Sequence, residues 1–253
     1  MFLLLSLLFS YDFWMFVVAI APAIVLLRYV YKQDKVEPEP TGLIIKLMIG
    51  GVLAALASMF LEWLGDEILG IFVNQSYRYY EMLEYFLVVA VSEESTKLFF
   101  CNKFTFHNKE FNYRFDGIVY TVATSLGFAL FENILYVYEY GFGTGVFRAL
   151  LSVPMHMCFA VFMGYFYGRA RLADARGEVS KMKNEKLAGL LVAIIIHGIY
   201  DTACSFKDLE HTLFFLCFVV VVYIVIFNLI KKESKSDVPV EGTISTPIFF
   251  VRK

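Results

Sequence analysis

Charge is scarce in this sequence. Lys, Arg, Asp and Glu together make 18% of its 253 residues, whereas 59% are hydrophobic and 18% aromatic. A chain this apolar has more nonpolar surface than a soluble core can enclose, so lipid must cover much of the remainder. Cysteine is sparse too. Cys101, Cys158, Cys204 and Cys217 stand singly in or beside apolar runs, without a CxxC pair or metal-ligand spacing. That argues against a disulfide framework and against a cysteine-based zinc site. A soluble domain, an internal repeat and a nucleic-acid signature are also lacking. No Lys or Arg precedes the hydrophobic opening MFLLLSLLFSYDFW, as a secretory signal would require, so this segment is expected to be retained.

What the sequence has instead is long apolar runs. A membrane-spanning helix needs ~20 mainly apolar residues, and about seven runs qualify: 12–31, 42–64, 82–101, 116–138, 145–169, 187–205 and 210–230. The expected fold is therefore an all-α polytopic bundle. Residues 1–230 would form a single multi-span membrane domain, and 231–253 a flexible cytoplasmic tail. The loops alternate in charge. Arg28, Lys32, Lys35 and Lys46 flank one, Lys103, Lys109 and Arg114 another, and Arg169, Arg171, Arg176, Lys181, Lys183 and Lys186 a third. Lys231, Lys232 and Lys235 follow the last run. Positive charge marks the cytoplasmic side, which places the N-terminus outside and the C-terminus in the cytoplasm. The first ten residues and 65–80 are too short or too polar to span and suit the interface.

A few ionisable groups lie within the apolar runs. VVAVSEESTKLFF carries Glu93, Glu94 and Lys97; GFALFENILY carries Glu132 and Asn133; VPMHMCF carries His156; and IIIHGIYD carries His197 and Asp201. Charge at membrane depth commonly costs ~3 kcal/mol per group, so such groups usually face a protein interior and serve a purpose. With a rise of ~1.5 Å per residue, Glu93, His156 and His197 all fall near mid-membrane. A single wet cavity is the expectation. Glu93 and Lys97 are spaced to share a helix face, with Glu94 turned ~100° away. His197 and Asp201 have the same spacing, which lets a carboxylate orient the imidazole.

Peptide hydrolysis in a membrane needs a base for water, a donor for the oxyanion and an acid for the leaving amine. Glu93 or Glu94 could be the base. Asn133 or a histidine could be the donor, and Glu132 or a histidine the acid. Each residue also has a plain structural reading. Glu93–Lys97 and His197–Asp201 make reasonable structural pairs, His156 and Asn133 reasonable interhelical hydrogen bonders, and Gly164–Gly168 a small-residue packing face. Asp116, Glu139 and Arg148 lie at the ends of runs and read as solvated or snorkelling charges.

Taken in order, EESTK at Glu93–Lys97, FALFEN at Phe128–Asn133, His156 in the next run and HGIYD at His197–Asp201 resemble the PrsW family of bacterial membrane proteases. The resemblance covers about residues 90 to 205 and includes the glycine placement of DGIVYTVATSLGFALFENILY. It implies Glu93, Glu94, Glu132, His156 and His197 as catalytic residues, with Lys97, Asn133 and Asp201 supporting them. It also implies site-1 cleavage of a single-pass anti-sigma factor in a bacterial cell membrane. The related CAAX-protease family shares a similar first motif but usually has Arg at the position of Lys97 and His at that of Glu132, so a prenyl-protein role is disfavoured.

The motifs leave the choice of base open. They also leave the cofactor open between none and a divalent metal such as zinc, for which His156, His197 and Glu132 are candidate ligands. Intramembrane charges also mark ion pathways, so a proton- or ion-coupled transporter is one alternative, although no inverted repeat is present. A non-catalytic scaffold is another.

Overall fold

The computed structural model describes residues 10–77 and 79–240. Its helices are α1 (Tyr11–Tyr31), α2 (Thr41–Phe72), α3 (Tyr80–Glu84), α4 (Ala90–Thr105), α5 (Asp116–Tyr140), α6 (Phe142–Leu150), α7 (Ser152–Ala175), α8 (Val179–Ser205) and α9 (Leu209–Lys235). A π-helical turn, Tyr85–Val89, joins α3 to α4. Six helical stretches are long and apolar enough to cross a membrane: α1, α2, α5, α6 with α7, α8 and α9. Among the described residues there is no strand, only an isolated bridge between Tyr113 and Pro239.

The expected span 82–101 is the exception to simple apolar helices. It falls on α3, the π turn and α4, which run on with helical backbone angles at each junction. Its buried face carries Glu93, Glu94 and Lys97, so it reaches the bilayer only as part of the bundle. The expected span 145–169 is also divided. Leu151 leaves helical geometry (φ −120°, ψ −65°), which separates α6 from α7. The segment expected to lie at the interface, 65–80, is divided as well: α2 continues through it to Phe72. The interfacial role expected of the first ten residues concerns positions that, apart from Ser10, lie outside the described residues.

Helix α5 sits at the centre because glycine lets its neighbours reach its backbone. A Cβ at Gly51 on α2 would stand 2.0 Å from the Thr124 carbonyl oxygen, and one at Gly127 on α5 would stand 2.2 Å from that of Met48. On the opposite side, a Cβ at Gly164 would meet Thr121 Oγ1 at 2.3 Å, and one at Gly168 the Arg114 carbonyl oxygen at 2.1 Å. The Gly164–Gly168 face therefore packs against α5 as the spacing predicts. By contrast, Ile45, Ile49, Phe60 and Trp63 on α2 and Leu213, Val220 and Ile224 on α9 are exposed. Such apolar faces suit lipid.

The C-terminal region departs from expectation. Helix α9 continues to Lys235, past the expected end at 230, and 231–240 pack against the loop before α5. Arg114 reaches Glu233 at 2.9 Å, and the backbone N–H of Phe115 donates to Asp237 at 2.9 Å. The flexible tail expected over 231–253 is thus anchored in its first ten residues; the remainder lies outside the described residues.

Candidate active site

The site is assembled from α4, α5, α7 and α8. On α4, Lys97 is buried and central. Its Nζ donates to Glu93 Oε2 at 2.8 Å, to Glu94 Oε1 at 2.8 Å and to His156 Nδ1 at 3.2 Å, and lies 4.0 Å over the Phe128 ring. Glu94 is therefore not turned away from the pair, as its position beside Glu93 suggested. Lys97 meets Glu93 at i,i+4 and Glu94 at i,i+3, and both spacings bring side chains together on a helix.

Helix α7 supplies His156, whose carbonyl accepts a hydrogen bond from Ser125 at 2.9 Å. An ammonium has no lone pair, so His156 Nδ1 must accept from Lys97. The ring is then the neutral Nε2–H tautomer, which donates to Glu132 Oε2 at 3.0 Å. On α8, His197 has a different setting. Its Nδ1 lies 2.9 Å from Glu94, its Nε2 3.2 Å from Asp201 and 4.0 Å from Glu93, and its ring stacks on Phe159. Gly198 lets this part of α8 approach the π turn, since a Cβ there would stand 2.5 Å from the Phe86 ring. π-Turns are frequent at functional sites, and this one ends four residues before Glu93.

Glu132 is held on a second side by Arg148 of α6, with Nη2 2.9 Å from the same Oε2. That contact is an ion pair without hydrogen-bond alignment, so the buried Nη2 keeps protons to donate. Arg148 also donates from Nε to Asn133 Oδ1 at 3.2 Å and lies 3.9 Å over the Tyr136 ring. The Asn133 amide in turn donates to the carbonyls of Ala19 at 3.0 Å and Val18 at 3.3 Å. With these contacts made, Asn133 ties α5 to α1 and orients Arg148. It is not free to act as an oxyanion donor.

A cavity of about 330 Å³ opens onto this cluster and is bordered by Glu62, Glu93, Glu132, Arg148, His156, His197 and Asp201. A second cavity of about 260 Å³ shares Glu62, Glu93, Glu132 and Tyr136, and continues between apolar residues of α2 and α5. The expected single wet cavity is thus a pair of adjoining ones. Glu94 borders neither. Of the sequence candidates, Glu93, Glu132, His156, His197 and Asp201 line the first cavity, while Glu94, Lys97 and Asn133 lie behind it.

Sequence reasoning missed Arg148 and Glu62. Arg148 sits at the end of a run and resembled a snorkelling charge, but it is buried. Glu62, an acid inside the expected span 42–64, carried the same signal as the groups singled out, and borders both cavities.

The donor set can be tested for a metal. His156, His197 and Glu132 were the candidates from sequence. Among the described residues, the acid–imidazole group whose donor atoms lie within 4.8 Å of one another is instead Glu93, Glu94 and His156. His197 is drawn away by Glu94 and Asp201, and Glu132 by Arg148. Carboxylate oxygen and imidazole nitrogen are suitable zinc donors. Glu94 Oε2 is moreover buried without a hydrogen-bond partner, but the Lys97 ammonium lies among these three groups, so they would hold a divalent metal only in its place.

Fold and site together define a polytopic membrane protein with a carboxylate–imidazole centre inside its helical bundle. The family profile described as PrsW family intramembrane metalloprotease matches residues 39–230. A Protease PrsW of Geobacillus kaustophilus is 36% identical over 190 residues, covering 75% of this chain and 79% of the relative. One from Oceanobacillus iheyensis is 34% identical over 220 residues, covering 87% and 95%. One from Bacillus subtilis is 34% identical over 186 residues, covering 72% and 78%. No solved structure matches. The chain belongs to the PrsW family of intramembrane metalloproteases. It is a peptidase and a multi-pass protein of a bacterial membrane, which decides against the transporter and scaffold alternatives.

Proposed function

We propose that the chain hydrolyses a peptide bond of a single-pass membrane protein inside the cavity bordered by Glu93, Glu132, His156 and His197. The observation that carries this reading is that four separate helices deliver these groups, with Arg148, to one cavity wall. The adjoining cavity between α2 and α5 gives an apolar approach from the side, which suits a substrate segment arriving from lipid. An anti-sigma factor is the substrate that the family resemblance implies.

A divalent metal, when bound, would be held by Glu93, Glu94 and His156 in place of the Lys97 ammonium and would supply Lewis acidity toward water and the scissile carbonyl. Glu132 handles the proton. Its Oε2 is fixed by His156 and Arg148, which leaves the other oxygen to take a proton from water. As the water oxygen bonds to the carbonyl carbon, negative charge gathers on the carbonyl oxygen. The unspent Nη2 protons of Arg148 lie on the same wall to receive it. The C–N bond then breaks, and Glu132 returns the proton to the leaving amine. The net products are a carboxylic acid and an amine.

The test is cleavage of a tagged single-pass anti-sigma factor by purified protein in nanodiscs, with and without chelator. The reading expects cleavage that chelator removes and Zn²⁺ restores. Cleavage that persists through exhaustive chelation overturns the metal assignment, and absence of cleavage across several such substrates overturns the substrate class.

A further inference from the structure

A second cluster of buried acids lies at the opposite end of α5, on the side of the positively charged loops. Asp34 and Glu39 come from the loop between α1 and α2, and Asp116 is the first residue of α5. All three are buried, at 5%, 3% and 0% exposure, and their donor atoms lie within 4.8 Å of one another. Across a cation with metal–oxygen distances of about 2.4 Å, two oxygens stand this far apart at most.

Two observations beyond clustering point to a ligand. Asp34 Oδ2 and Asp116 Oδ1 are buried without a hydrogen-bond partner, in an interior where such a group is costly. In addition, none of the three acids takes part in an ion pair among the described residues. Arg114, two residues before Asp116, is committed to Glu233 and to the carbonyl of Ser236. Asp116 Oδ2 accepts from the backbone N–H groups of Asn112 and Tyr113, and Glu39 Oε2 accepts from the Tyr120 hydroxyl at 2.7 Å. Three carboxylates with two vacant oxygens thus share a buried pocket that no basic side chain enters among the described residues.

We infer that Asp34, Glu39 and Asp116 form a binding site for a hard divalent cation of the Ca²⁺ or Mg²⁺ class, separate from the intramembrane centre. The all-oxygen donor set favours such ions over zinc, which prefers nitrogen and sulfur. The electrostatics agree. Burial, reinforced by Asp237, pushes Asp34 up to about 7, and burial pushes Glu39 up to about 8. A bound cation relieves both. It would also pin the first loop to the start of the helix whose far end carries Glu132 and Asn133. The first loop in turn holds the last helix, because Ser234 donates to the Gln33 carbonyl.

The inference does not depend on the protease chemistry, and its test reads no cleavage. Protein in phosphatidylcholine nanodiscs, stripped by chelator, is titrated with Mn²⁺ while free ion is followed by electron paramagnetic resonance. Asp34→Asn is expected to remove one tight Mn²⁺ equivalent, both from wild type and from a His156→Ala background. If Asp34→Asn does not insert, Glu39→Gln carries the same expectation. An unchanged Mn²⁺ count in both backgrounds, or no tight Mn²⁺ in wild type, overturns the site and leaves protons as what holds the cluster.

Discussion

The ammonium of Lys97 lies 3.2 Å from Nδ1 of His156, and this contact orders the site. It sets the tautomer that turns His156 Nε2–H toward Glu132, and it sits where Glu93 and Glu94 would otherwise repel each other. Lys97 thus links the first motif to the second through a histidine on a third helix.

Lys97→Met is accordingly expected to destabilise the protein. Removing one member of a buried ion pair strands the other, typically at a cost of about 3–5 kcal/mol. Here two carboxylates are stranded. Unfolding in mixed micelles measures the loss, and a change below about 1 kcal/mol would mean that the carboxylates find protons or water instead.

The two adjacent glutamates should separate by stability, since both would hold the metal. Glu94 faces Lys97 and His197 and borders no cavity, so Glu94→Gln is expected to cost about 1.5–3 kcal/mol of stability through lost charge-assisted hydrogen bonds. Glu93 borders both cavities. Glu93→Gln is expected to lose cleavage at least about 100-fold with a smaller stability change. Glu94→Gln should lose cleavage as well, so parallel unfolding of both variants checks the split; a larger stability loss for Glu93→Gln would exchange their roles.

Arg148 should matter as a fork rather than as a charge. It contacts Glu132, Asn133 and the Tyr136 ring at once, a geometry that a lysine cannot reproduce. Both Arg148→Met and Arg148→Lys are expected to lower the cleavage rate by about 100-fold or more, the scale of losing one oxyanion donor. Full activity of Arg148→Lys in a single-turnover assay would reduce the residue to a simple counter-charge.

Close packing of α2 on α5 gives a test independent of chemistry. Gly127→Val places side-chain atoms against the Met48 backbone and is expected to cost more than about 1–3 kcal/mol, the usual range for overpacking. Gly143→Ala on α6 meets nothing within 4 Å and serves as the neutral control. Thermal aggregation of the two variants in detergent separates them.

The sequence made some of this legible and concealed the rest for physical reasons. Glu93, Lys97, Glu132, His156, His197 and Asp201 stand out because an ionisable group inside an apolar run demands a partner. Six of the seven expected runs were readable as long apolar helical stretches. Arg148 and Asp116 were not, because a charge at the end of a run looks solvated, and only the fold shows that α6 dips beside Glu132 and that the first loop folds over Asp116. The inward turn of Glu94 follows from its i,i+3 spacing to Lys97, which its angle from Glu93 alone conceals. The role of Asn133 depended on which helix lies beside it, and α1 is distant in sequence.

The most direct test of the central claim is cleavage in membranes that co-express a tagged single-pass anti-sigma factor with wild type, Glu93→Gln or Glu132→Gln at matched insertion levels. The account predicts that wild type releases the cut fragment while both variants leave the substrate intact. Cleavage by either variant at the wild-type rate would contradict it.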